Sequence, residues 1–195
     1  MELGPYGTNC YLAARPESSQ ALVVDPGDEP DRVLGVLAER SWKAAAILVT
    51  HAHLDHIGAV HAVAEATGAP VYIPRGEADD LRAFEPAPHE PDVELEGGET
   101  VSAAGIDLAT MLVPGHTAAS IAYAADGVVF SGDVLFQDSV GRSDLAGGDH
   151  ATLIRSIAAM ARWVGPETVV LSGHGPPTTI GRELAANPFL ADLRA

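Results

Sequence analysis

Residues Thr50-His51-Ala52-His53-Leu54-Asp55-His56 put three imidazoles and a carboxylate within six positions, directly after the apolar run Ala44 to Val49. Such a run reads as a buried strand, and a helical pattern begins at His56-Ile57-Gly58-Ala59-Val60, so the cluster falls on the turn between them. In an extended or tightly turned backbone His51 and His53, two residues apart, point the same way and can grip one ion. Asp55 and His56 lie past the turn and point elsewhere, so one motif can feed two metals. The competing reading is a solvated loop in which Asp55 caps the helix that follows. The rest of the chain must supply the missing ligands.

With 195 residues, 47% of them hydrophobic, the chain is expected to form one folded domain over residues 1–195. The formal net charge of -16 arises from 27 acidic against 11 basic residues, with Lys43 the only lysine, so a nucleic acid would be repelled at long range. No apolar stretch approaches the ~20 residues that span a bilayer, and Met1 to Tyr11 lacks the basic-then-apolar order of a signal peptide. A cytoplasmic location without membrane partners is expected, and the oligomeric state stays open. Cys10 is the only cysteine, which excludes an intrachain disulfide and a thiolate metal cage; in its apolar run it reads as a small buried hydrophobe.

Strand-like runs recur at Asn9 to Ala14, Ala21 to Val24, Ala44 to Val49, Pro70 to Ile73, Ile106 to Val113, Ile121 to Ala124, Val128 to Phe130 and Thr168 to Leu171. Helical patterns cover Asp31 to Ser41, Ile57 to Thr67, Ala151 to Val164 behind a cap at Asp149, and Gly181 to Ala186 before Pro188. Two strand-rich blocks, each followed by helices, predict stacked sheets covered by helices. The segment Phe84 to Glu99, with three prolines and Gly97-Gly98, reads as a loop crossing between the halves. His61, His89 and His150 read as surface residues and not as ligands.

Downstream, one arrangement occurs three times: an apolar run ends, a glycine gives a turn and a ligand-type residue follows. The segments are Leu112-Val113-Pro114-Gly115-His116, Val129-Phe130-Ser131-Gly132-Asp133 and Val170-Leu171-Ser172-Gly173-His174. Together with the first cluster they place His51, His53, Asp55, His56, His116, Asp133 and His174 at strand ends, where loops gather on one rim. Imidazole and carboxylate without sulfur suit Zn, Fe or Mn.

These residues resemble the metallo-β-lactamase superfamily, whose His-x-His-x-Asp-His turn stands here as His51 to His56, followed by the Gly-His and Gly-Asp turns in the family's order. The resemblance implies an α/β (α+β) fold, an αββα four-layer sandwich with a two-metal site at one edge. It assigns His51, His53 and His116 to one divalent ion and Asp55, His56 and His174 to a second, with Asp133 bridging both. Zn is the expected metal, with Fe or Mn as alternatives. Asp25, in Val23-Val24-Asp25-Pro26-Gly27, resembles the family's buried aspartate that braces the ligand loop; on its own it reads equally well as a turn residue.

Within the superfamily, Gly132 to Phe136, Gly141-Arg142-Ser143-Asp144, and Ser172 to Gly181 ending in Asn187-Pro188-Phe189-Leu190 are similar to short bacterial glyoxalase II enzymes, which are hydroxyacylglutathione hydrolases. The expected substrate is a small anionic thioester of the S-lactoylglutathione type, attacked by a hydroxide shared between metals, with Asp55 and Asp133 as catalytic carboxylates. Longer glyoxalase II enzymes add a C-terminal helical domain carrying basic residues for glutathione, which the 21 residues after His174 do not supply. Arg142 is the candidate to hold a substrate carboxylate in a bidentate pair, against a structural pair with Asp144. Persulfide dioxygenases share the fold, the first turn and a Gly-Arg-x-Asp segment and use one Fe; they favour Pro-Ala-His-Asp-Tyr where this chain has Ser172-Gly173-His174-Gly175-Pro176. A lactonase shares the ligand set, a β-lactamase is disfavoured by the lack of an export signal, and a non-catalytic metal-binding domain is a further alternative.

Overall fold

Alternation along the strands builds the architecture. In the computed structural model, which describes residues 1–194, an N-terminal ribbon of β1 (Glu2–Leu3) and β2 (Thr8–Asn9) leads into a five-stranded sheet. Its strands, in spatial order, are β3 (Tyr11–Ala13), β4 (Gln20–Val24), β5 (Lys43–Leu48), β6 (Val71–Pro74) and β7 (Val93–Leu95). β3 is antiparallel to β4 and the other pairs are parallel. Helix α1 (Pro30–Glu39) supplies one crossover, and α2 (Leu54–Ile57) with α3 (Val60–Thr67) the next, as parallel neighbours require. The 3₁₀ turn Arg75–Glu77 and helix α4 (Ala78–Arg82) follow β6.

A six-stranded sheet forms the second half. Its strands are β8 (Thr100–Ala103), β9 (Ile106–Leu112), β10 (Ile121–Ala125), β11 (Val128–Gly132), β14 (Val169–Ser172) and β15 (Thr178–Thr179), mostly antiparallel, with β11 and β14 parallel. A ribbon of β12 (Leu135–Phe136) and β13 (Ser139–Val140) projects between β11 and helix α5 (His150–Val164). Helix α6 (Ile180–Ala186) and a 3₁₀ segment at Pro188–Arg194 come last.

On β4, Leu22 and Val24 face the other sheet while Ala21 and Val23 face the helices; on β5, Ala46 and Leu48 face inward and Ile47 and Val49 face α1 and α3. The second sheet answers with Leu108, Ile121, Tyr123 and Phe130 toward the first sheet, and Ala122, Val129 and Val170 toward Leu153, Ile157 and Met160 of α5. Period-2 burial on both sheets gives an αββα sandwich with three apolar layers, as the sequence leads one to expect. Pro30 at the first turn of α1 and the Asp149 carboxylate, accepting from the Thr152 N–H at 2.7 Å, start two of the covering helices.

Four details differ from the sequence reading. The run Asn9 to Ala14 is split at Cys10 between the ribbon and the first sheet. The helix expected from Ile57 to Thr67 is broken at Gly58, whose backbone passes so close to Gly27 that a Cβ would lie 2.3 Å from its carbonyl oxygen. The supposed loop Phe84 to Glu99 contains β7, which edges the first sheet through only three residues, too few to show alternation. The elements Arg75–Glu77, α4, β8, β12, β13, β15 and the 3₁₀ segment Pro188–Arg194 lie outside the runs read from the sequence; β8 alternates apolar and polar, but over four residues.

Tyr123 is fully buried between the sheets and donates its hydroxyl to the Val49 carbonyl at 2.8 Å, tying the second sheet to the residue just before the ligand turn. Tyr123→Phe leaves that carbonyl short of a donor and is expected to cost about 1–3 kcal/mol in urea unfolding. Unchanged stability would show that this contact does not couple the sheets.

Candidate metal centre

All seven ligand-type residues gather at one edge of the sandwich. His51, His53, Asp55 and His56 follow β5 and enter α2; His116 follows β9, Asp133 follows β11 and His174 follows β14. The three glycine turns are needed here. Gly132 has φ of 51°, and a Cβ there would lie 2.4 Å from Thr50 Oγ1. At Gly173 a Cβ would sit 2.1 Å from Asp133 Oδ1 and 2.6 Å from His56 Cε1, inside the space the ligands face.

A first trio comprises His51 Nε2, His53 Nδ1 and His116 Nε2, separated from one another by 2.9–3.1 Å. Hydrogen-bond partners fix the tautomers of His51 and His116. The Arg142 carbonyl, which can only accept, holds the proton on His116 Nδ1 at 2.7 Å. The Thr50 hydroxyl donates to Asp25 and so accepts from His51 Nδ1 at 3.2 Å. Burial first, then neighbouring imidazoles, keep His51 and His116 below the usual histidine range, hence neutral at pH 7. The Nε2 lone pairs of His51 and His116, 3.1 Å apart, repel unless positive charge lies between them.

A second trio comprises Asp55, His56 and His174. His174 Nε2 lies 3.2 Å from Asp55 Oδ2 and 3.4 Å from Asp133 Oδ2, and His56 Nε2 lies 3.4 Å from Asp133 Oδ1. Asp133 also faces the first trio, its Oδ2 lying 3.7 Å from His116 Nε2, so this one oxygen looks toward both groups. His56 Nδ1 donates to Asp25 Oδ2 at 2.9 Å, and the other Asp25 oxygen accepts from the Thr50 N–H at 2.7 Å. The Thr8 hydroxyl donates to Asp55 Oδ2 at 2.7 Å. The Asn9 amide holds the His174 turn through the carbonyls of Ser172 and Gly175.

Two buried atoms in this cluster, His56 Nε2 and Asp133 Oδ1, have no hydrogen-bond partner among the described residues. Orphaned polar atoms so deep in a structure are costly. Their orientation toward each other and toward the other donors fits divalent metal ions, the hard to borderline kind that imidazole and carboxylate hold. The carboxylates are ready for this. Burial disfavours ionised Asp55 and Asp133, but hydrogen bonds from His174 and the charge of His56 outweigh it, placing Asp55 at about 2 and Asp133 well below its ordinary range.

Thr8, Asn9, Thr50 and Glu77 brace the ligands, and none was singled out from the sequence, because each acts through contacts between segments far apart in the chain. The Arg142 guanidinium is exposed and held by Asp144 at 2.8 and 2.9 Å, while its backbone carbonyl serves His116. His61 and His89 face one another, Nδ1 to Nδ1 at 3.4 Å, and His150 is exposed at the start of α5; none of the three is among the grouped ligands. A cavity of about 550 Å³ opens beside His53 and Thr117, with Leu54, Ile57 and Phe84 on its wall. Its charged lining is Glu77, Asp80 and Glu85, without a lysine or arginine. Among the described residues no helix is long and apolar enough to cross a membrane.

Residues 3–174 match the model of the metallo-beta-lactamase superfamily, and the chain belongs to that family. It is similar to the structure of BLEG-1 B3 metallo-beta-lactamase, at 37% identity and a TM-score of 0.91 over 97% of each chain. It is also similar to TTHA1623 in a di-iron-bound form, at 38% identity and a TM-score of 0.81 over 97% of this chain and 98% of that one. The hydroxyacylglutathione hydrolase GloC of Haemophilus influenzae is 32% identical over 93% of this chain and 92% of its own length. The chain thus has the metallo-beta-lactamase fold and a His/Asp cluster of the kind that holds divalent metal.

In the metal-free protein His56 is pushed up to about 10, because Asp25 and Asp133 outweigh the burial that opposes its charge, and His174 to about 9 by hydrogen bonds to Asp133 and Asp55. Both therefore carry protons at pH 7.5 that metal ligation must displace. Metal titration at pH 7.5 in buffers of different ionisation enthalpy should show release of roughly two protons as the second trio fills. Proton-neutral uptake would contradict these protonation states.

Proposed function

We propose that this chain is a binuclear metal hydrolase of small acyl thioesters, of the hydroxyacylglutathione hydrolase type, working in the cytoplasm. The observation that carries the reading is Asp133, whose carboxylate stands between the trios, Oδ2 facing His116 of the first and His174 of the second while Oδ1 faces His56, an arrangement suited to two ions acting on one carbonyl. The di-iron form of TTHA1623 and the likeness to GloC support it. Divalent ions held there would supply an acidified water and polarise the substrate carbonyl.

The chain's own residues do the rest. His51, His116 and His56 are locked through Nδ1, so Nε2 of each points inward without rotation. Asp55 and Asp133, ionised at neutral pH, bring negative charge that leaves the two-ion site slightly positive, suited to a developing oxyanion. The thiol half of the substrate would occupy the cavity beside His53. Among the described residues the carboxylates at the trios are grouped ligands and Glu77 has both oxygens engaged, so none of these is a free acid for the leaving group. A thiolate, with a pKa near 8.5, leaves without one. Arg142 would reach a substrate carboxylate by exchanging it for Asp144.

The test is a panel read on metal-loaded protein: S-lactoylglutathione, a simple lactone, a cephalosporin, and oxygen uptake on glutathione persulfide. Thioester hydrolysis should dominate; rapid oxygen uptake with one iron per chain and no thioester turnover would instead make it a mononuclear dioxygenase. Arg142→Ala should raise KM for S-lactoylglutathione several-fold with metal content unchanged. An unaltered KM would remove Arg142 from substrate binding.

A further inference from the structure

Glu77 is a carboxylate only 5% exposed, and its hydrogen-bond partners are neutral. A charge-bearing group so buried is retained at a cost unless every lone pair is used. Its two oxygens go to two ligand turns. Oε2 accepts from the peptide N–H of Ala52, the residue between His51 and His53, at 2.5 Å. Oε1 accepts from the hydroxyl of Thr117, the residue after His116. That hydroxyl also meets the Ser120 hydroxyl at 2.6 Å and caps the Ala119 N–H, so the contact passes into the whole turn after β9. Gly76 allows the approach, since a Cβ there would lie 2.6 Å from the Ala119 Cβ.

We propose that Glu77 is a positioning residue of the first metal trio, clamping the peptide between His51 and His53 to the turn that carries His116. These ligands come from different sheets, and sub-ångström errors in their spacing weaken a metal site. The second trio has other braces, Asp25 on His56, Thr8 on Asp55 and Asn9 on the His174 turn, so loss of Glu77 acts on one site and not on both. The inference concerns metal binding alone and stands whichever substrate the centre takes.

The test measures zinc affinity of the full chain by competition with a chromophoric chelator, alongside cadmium NMR, in which each bound ion gives its own resonance. Glu77→Ala should weaken one site by ~10–100-fold and shift one cadmium resonance while leaving the other in place. Glu77→Gln, whose amide oxygen can accept from Ala52 and whose NH₂ can donate to Thr117 Oγ1, should restore affinity. If Glu77→Ala does not fold, Thr117→Val removes one end of the clamp and should produce the same one-site weakening to a smaller degree. Wild-type affinity at both sites, or equal loss at both, would overturn the proposal.

Discussion

The Asp25 carboxylate is the contact on which the metal edge depends. It is 2% exposed, in a backbone conformation with φ of 48°, and it accepts from the Thr50 N–H, the Thr50 hydroxyl and His56 Nδ1. Asp25 ends β4 and Thr50 follows β5, so one side chain fixes how the first sheet delivers its ligand turn. It also fixes which nitrogen of His56 stays free, and through the Thr50 hydroxyl it does the same for His51. Histidines that could otherwise present either nitrogen thereby turn Nε2 inward.

The ligand set was legible in the sequence because metal ligation demands particular residue types at particular turns. His51 to His56 follows a buried strand, and His116, Asp133 and His174 each follow a glycine whose missing Cβ the crowded edge requires, most plainly at Gly173. The sandwich was legible from strands such as β4 and β5, with long apolar runs buried on both faces. The bracing was not. Thr8 reaches Asp55, and Glu77 reaches Ala52 and Thr117, through folded-state proximity that no local pattern encodes. Short elements such as β7 escaped because three residues cannot display a period.

Charge shapes what the centre can recognise. The chain carries -16 overall, and Arg142, which follows Asp133 in the chain, is already paired with Asp144, as Arg182 is with Asp138 and Glu183. The cavity beside His53 adds carboxylates of its own. Attraction for an anionic substrate would therefore come from the metal ions themselves, with Arg142 as the exchangeable cation at the rim. This places the burden of both recognition and chemistry on the cluster around Asp133.

A centre for two ions joined by Asp133 would have a definite stoichiometry. The most direct test is the metal content of the folded protein after saturation with zinc and removal of loosely held metal, read by elemental analysis against protein concentration. Close to two ions per chain are expected, falling to one or fewer in Asp133→Ala. A wild-type protein that saturates at a single ion would contradict a shared two-metal centre.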